Sequence, residues 1–324
     1  MVTHAGNVRT QVAFLLDNLR SVPESVWGSF SPEDRRAALE VYIRDIEGLM
    51  TGELSLAKVR DDSDVIVHAE GPALSAGNWS FRAFNSVVDS LNGVLRGVVA
   101  DNLVKVSSNT LTSKAIRQQV DIQVTGFAPG SLFVGAKVVL PEKSGLLGYE
   151  GVEQVVHSAV NSLPQAGAMV TSEKISDEIS DVLEDPAVRD SAIVAALKLS
   201  PTGRMGVDEI SVSGAGGDGL FRAVLTPEKK EVLRKAVKAG AIGKISGHEK
   251  IKGIVREVNL DTSRFSLRSE DGFLVRCFLK SLDHVTATLM LDKEVVVEGT
   301  AQKDKEGRVR LISLTEYPII TATV

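Results

Sequence analysis

Apolar residues recur at helical spacing at the start of the chain. In VRTQVAFLLDNLRSV, Val8, Val12, Leu15, Leu16 and Leu19 fall on one side of a helix. SPEDRRAALEVYIRDIEGLM reads as a second helix, with Ser31 as N-cap, Pro32 at the first helical position and acids in the first turn. Leu39, Tyr42, Ile43 and Ile46 form its apolar face, which suits the protein's own core or a partner or dimer contact. The period then shortens to two, and ELSLAKVRD and DVIVHAEG alternate as strands do. WSFRAFNSVVDSLNGVLRGVVADNL returns to a long helix, with Gly93 and Gly97 one turn apart, a spacing that allows close packing. QQVDIQVTGFAPGSLFVGAKVVLP is a hairpin whose turn is APG. A layered α+β domain over residues 1–143 accounts for these elements.

Residues 144–243 read as a helical segment. VEQVVHSAVNSL, SEKISDEISDVLE and DPAVRDSAIVAALKL are three amphipathic stretches, the last with Asp185 as N-cap. VDEISVS and LFRAVL form two strands around GAGGDG, as a β-wing would. PEKKEVLRKAVKAG is a basic helix opened at Thr226 and closed by Gly240.

Residues 244–324 alternate most regularly. EKIKGIVREVNL, RFSLRS and FLVRCFL are strands, SLDHVTATLML is a short helix, and EVVVEGTAQKD and RVRLISLTEYP are two more strands. The polar stretches LDTSR, SEDG and KDKEG suit hairpin turns. The order β-β-β-α-β-β resembles a five-stranded OB-type barrel, with an SH3-like barrel as the structural alternative. The fold class expected is therefore α+β and multidomain: an α+β domain, a helical segment with a β-wing, and a small β-barrel.

Composition narrows what such a chain does. Of its 324 residues, 43% are hydrophobic and 24% charged, the proportions of a globular protein with a real core. The net charge of −5 disfavours a nucleic-acid coat or a membrane-surface protein. One cysteine, Cys277, excludes an intramolecular disulfide and a Cys-rich zinc site, in keeping with a reducing, cytoplasmic and bacterial setting. VAFLL is too short for a signal peptide, and no window is apolar enough to span a membrane.

Motifs for catalysis are sparse. GAGGDG, Gly214 to Gly219, matches G-x-G-x-x-G, but a dinucleotide site needs a helix after it, and LFRAVL is strand-like. His4, His68, His157, His248 and His284 show no metal-ligand spacing. There is no G-x-S-x-G elbow, and Ser131 lies in a hairpin. Cys277 alternates with Val275 and Phe273, as a buried residue would. The carboxylate pairs Asp61-Asp62 and Asp177-Glu178 lack a third convergent group. No cofactor, metal or catalytic residue is assigned, and an enzyme with a dispersed acidic site is the last-ranked alternative.

Binding is the better expectation. Nine basic residues lie between Thr226 and Arg256 against three acids. Lys230, Arg234 and Lys238 form a stripe on the helix that leads into the barrel. With Lys250, Lys252, Arg256, Arg264 and Arg268 they are the candidate partner-binding residues. Residues 244–324 carry thirteen basic and twelve acidic side chains, so the barrel is close to neutral. In RFSLRS, Phe265 and Leu267 face away from Arg264, Ser266 and Arg268. Stacking on nucleic-acid bases needs aromatics and cations on one face. DPAVRDSAIVAALKL mixes Asp185, Arg189, Asp190 and Lys198, a poor major-groove reader even if the segment were a winged helix. The function expected is a non-catalytic, cytoplasmic binding or regulatory protein whose barrel and basic helix dock a partner protein, with nucleic-acid binding as the alternative.

Overall fold

A computed structural model describes residues 3–75, 78–104, 113–128, 131–140, 151–214, 222–239, 246–304 and 306–321. It opens with helices α1 (His4–Ser21), α2 (Glu24–Ser29), α3 (Pro32–Gly48) and α4 (Leu54–Asp62), with one π-helical turn between the last two. The Ser31 hydroxyl accepts from the Asp34 N–H, the cap expected from its place before Pro32. ELSLAKVRD is helical, not a strand. Leu54 and Ala57, one turn apart, meet Ala5 and Val8 of α1 in a small buried cluster. Period two and period 3.6 both fit so short a run, and contact with α1 decides. The apolar faces of α1 and α3 stay apart from the main core: α3 buries no residue and Ile43 is exposed.

The body is a five-stranded antiparallel sheet in the order β2 (Asp121–Ala128), β3 (Leu132–Val139), β1 (Val65–Glu70), β4 (Glu209–Gly214), β5 (Arg222–Leu225). One face carries Val65, Val67, Val134, Ala136, Ile210 and Val212, all buried. Helices α5 (Phe81–Leu103) and α7 (Val152–Ala168) lie against the sheet. Helix α9 (Pro186–Leu199) packs across both, and α10 (Pro227–Ala239) packs on α9. A β-carbon at Gly93 or Gly97 would meet open space, so their spacing serves no close packing.

Two expectations change here. The expected β-wing is the edge of the main sheet, because Ile210 of β4 pairs with Ala69 of β1. Strands from residues 65–139 and 209–225 thus lie in one sheet, and one buried cluster draws residues from Val65 to Val237. SEKISDEISDVLE holds only the single turn α8 (Ile179–Val182), preceded by a bridge from Val170 to Ile175. The Thr171 and Ser176 hydroxyls accept from the backbone N–H groups of Lys174 and Glu178, competing with a helix. Pro129 and Gly130 of the hairpin turn, Ala215 to Gly219 of the glycine-rich run, and Gly240 lie outside the described residues.

The C-terminal strands close into a five-stranded barrel. β6 (Gly247–Asn259), β7 (Arg264–Ser269), β8 (Leu274–Leu279), β10 (Val309–Leu314) and β9 (Glu294–Lys303) pair in that order, and β9 pairs back to β6. Only the β8–β10 pairing of this ring is parallel. Helix α11 (His284–Met290) connects β8 to β9, and β11 (Ile319–Ile320) pairs with β9 beyond β10. The barrel has its own core, including Phe265, Leu267, Cys277, Met290 and Val297. β-Carbons at Gly253 and Gly299 would collide with the carbonyls of Arg268 and Ser313, so these glycines let neighbouring strands close up at the bends.

Candidate functional site

The expected basic footprint is dispersed. The Lys230 ammonium donates to the Ser200 carbonyl at the end of α9, and Arg234 pairs with Glu231. Lys238 lies exposed one turn further along α10. On the barrel, Lys250 pairs with Glu298, Arg256 with Asp292, and Lys252 with both Glu270 and Glu294 at 3.1 Å. Arg268 donates to the Gly272 carbonyl. Seven of the eight candidates are thus scattered over α10 and the barrel, most of them held in local contacts. The eighth, Arg264, is buried and unavailable to a partner.

Arg264 instead belongs to a buried seam between the barrel and the body. Its Nε donates to Asp190 Oδ2 at 2.7 Å and its Nη2 to Asp190 Oδ1 at 2.6 Å. Arg276 Nε lies 2.6 Å from Asp190 Oδ2, and Arg276 Nη1 donates to Asp101 Oδ2 at 2.9 Å. Asp101 on α5 also accepts from the Ser191 hydroxyl and from Arg117 on α6 (Ser113–Gln119). Nearby, Arg189 donates to Gln302 of β9 at 2.9 Å, and Arg310 of β10 lies 3.4 Å from Asp185. Leu274 adds an apolar contact by packing against the body's core.

The electrostatics follow from burial against opposite charge. Burial alone would raise the Asp101 carboxyl, but Arg276 and then Arg117 overcome it and hold the group well below the usual carboxylate range. Asp190 is likewise held down, against its burial, by Arg264 and Arg276. Burial works against the Arg276 cation, yet Asp190 and Asp101 hold it more firmly protonated than a free guanidinium. Taking these ions out of water costs about as much as their attraction returns. The seam therefore specifies how the barrel seats more than it adds net stability.

Helix α9 cannot read a DNA groove, because Arg189, Asp190 and most of its apolar residues are buried. A signal for the seam was present in the sequence. Asp190 opens an apolar run, and Arg276 interrupts another in FLVRCFL. A charge inside such a run needs a buried partner.

No family model, curated protein or solved structure matches this chain.

The remaining chemistry is limited. Among the described residues, no group of three His, Cys, Asp or Glu side chains could hold a metal ion. Cys277 is fully buried, and burial pushes its thiol far up, away from a reactive thiolate. His68 stacks on Phe133 at 3.8 Å and shares its Nε2 between the Ser131 hydroxyl and Glu70. A nucleophile and a carboxylate on the same nitrogen leave neither placed as in a relay. Of the barrel's aromatics, Phe265 and Phe278 are buried, whereas Phe273, with Arg308 over its ring at 5.1 Å, and Tyr317 remain partly exposed. No helix is long and apolar enough to cross a membrane among the described residues.

The open apolar surface of the barrel lies elsewhere. Val285 and Leu289, one turn apart on α11, are 66% and 58% exposed. Tyr317 donates to the Ser281 carbonyl just before that helix, and Ile319 of β11 is 65% exposed.

Proposed function

We propose that this chain is a non-catalytic binding protein whose C-terminal module is an OB-type barrel seated on its own body. Three features support the OB type over an SH3-like one: the ring order of the strands, the parallel pairing of third and fifth strands, and a helix between third and fourth. OB barrels present the face of their second and third strands to oligonucleotides. One observation carries the functional reading: on that face, Arg264 and Arg276 are engaged by Asp190 and Asp101. The nucleic-acid alternative loses two of its cations there, and the stripe on α10 is partly tied to Ser200 and Glu231.

A protein partner is then the better fit, and the α11–β11 side is where it would dock. Val285, Leu289 and Ile319 give that side exposed apolar contact area. A cytoplasmic setting belongs to the same proposal and rests on a single, buried cysteine. The test combines two measurements on the full chain. Cross-linking with mass spectrometry from cell extract should recover one recurrent partner with wild type and lose it with Val285→Glu/Leu289→Glu. Fluorescence polarisation with short single-stranded and duplex DNA and RNA should stay flat at low and high salt. Tight, salt-sensitive nucleic-acid binding would overturn the proposal.

A further inference from the structure

A cavity of about 200 Å³ lies between α5, the end of α9 and the start of α10. Its charged lining is one-signed. Among the described residues, Lys198 and Lys230 border it and no carboxylate does. The Lys230 ammonium is anchored by the Ser200 carbonyl, whereas the Lys198 side chain makes no hydrogen bond or ion pair among the described residues, and burial and then the Arg117 charge lower its ammonium against the pull of Asp101 and Asp261. Ser86 and Ser90 sit one turn apart on α5, so both hydroxyls reach the same wall. Val87 and Ile210 supply an apolar side. Burial, and then the Arg234 charge, lowers the Lys230 ammonium, with the Glu231 carboxylate acting against them.

We infer that this cavity is a binding site for a small organic anion, a carboxylate or phosphate group on an apolar body. Hydroxyls and two lysines would take the anionic group, and the apolar wall the remainder. This site is independent of the partner surface on the barrel, so either can fail without the other.

The full chain, ¹⁵N-labelled, can be titrated with benzoate and with phenyl phosphate while amide shifts are followed. Benzyl alcohol serves as the uncharged control and inorganic phosphate as the headgroup alone. The expected result is saturation by at least one organic anion, with shifts centred on Ser86, Ser90 and residues 198–202. Lys198→Met should weaken that binding roughly tenfold or more, the loss of one charge-assisted contact. Ser90→Ala gives a second, milder variant at the same wall. Saturation by phenyl phosphate alone would assign the headgroup as phosphate, and by benzoate alone as carboxylate. The inference is overturned if neither anion saturates by about 10 mM, if benzyl alcohol binds as tightly, or if folded Lys198→Met binds unchanged.

Discussion

Asp190 of α9 and Arg264 of β7, 74 residues apart in sequence, meet in a two-point ion pair at 2.6 and 2.7 Å, with both side chains almost fully buried. Each presents what the other needs in a dry seam: a planar carboxylate and a planar guanidinium in register. Arg276 shares the same carboxylate and passes the network on to Asp101. The barrel thus holds its own body through the outward side of β7 and β8.

Removing one member of this seam should cost far more than a surface ion pair. Asp190→Ala leaves Arg264 buried without a counter-charge, a loss of about 3–5 kcal/mol. Urea denaturation should show the midpoint fall accordingly. Asp190→Leu combined with Arg264→Met should recover much of that loss, because a buried apolar pair carries no desolvation cost. A cost under about 1 kcal/mol for Asp190→Ala would mean that the seam is not closed in solution.

Acid should loosen the seating of the barrel. Asp101 and Asp190 have folded-state pKa values below their ordinary 3.8, so their contribution is fully present well above that value. It is lost as pH falls through 3.8 toward the depressed folded values. Thermal unfolding followed from pH 6 downward should therefore show melting temperature dropping most steeply below about pH 4. Asp101→Asn should lower stability at neutral pH and flatten that acid limb; an unchanged limb would falsify the assignment.

The Cys277 thiol should report unfolding. It is buried in the barrel core, and burial holds it as the unreactive thiol. A disulfide reagent should label the native protein only at the rate at which the barrel opens, and at once in denaturant. Cys277→Ser should cost about 1–3 kcal/mol by placing a hydroxyl in an apolar core, whereas Cys277→Ala should cost less than Ser.

Charge reversal on α10 separates the two binding ideas. Lys230→Glu/Arg234→Glu/Lys238→Glu should leave partner capture through α11 and β11 intact. The same triple change should lower stability by about 1–2 kcal/mol, because the Lys230 contact with Ser200 at the end of α9 is lost. Loss of partner capture in a folded triple variant would move the docking surface back to the basic helix.

The barrel was legible in the sequence because each strand carries its own instruction. Val255, Phe265, Leu267, Val275 and Cys277 alternate with outward residues, and that alternation alone assigns them to the inside. The helices α5, α7 and α9 and the β2–β3 hairpin were readable for the same local reason. ELSLAKVRD was not, since nine residues satisfy either period until α1 is placed beside them. The charges of the seam stood out in the sequence, Asp190 and Arg276 beside apolar runs, but which of them pair was not legible. Arg264 and Arg268 alternate outward from the same strand, and periodicity treats them alike. Only the docking of α9 buries Arg264 against Asp190 and leaves Arg268 half-exposed, because what pairs with a charge is set by which surface is brought near, not by its neighbours in the chain.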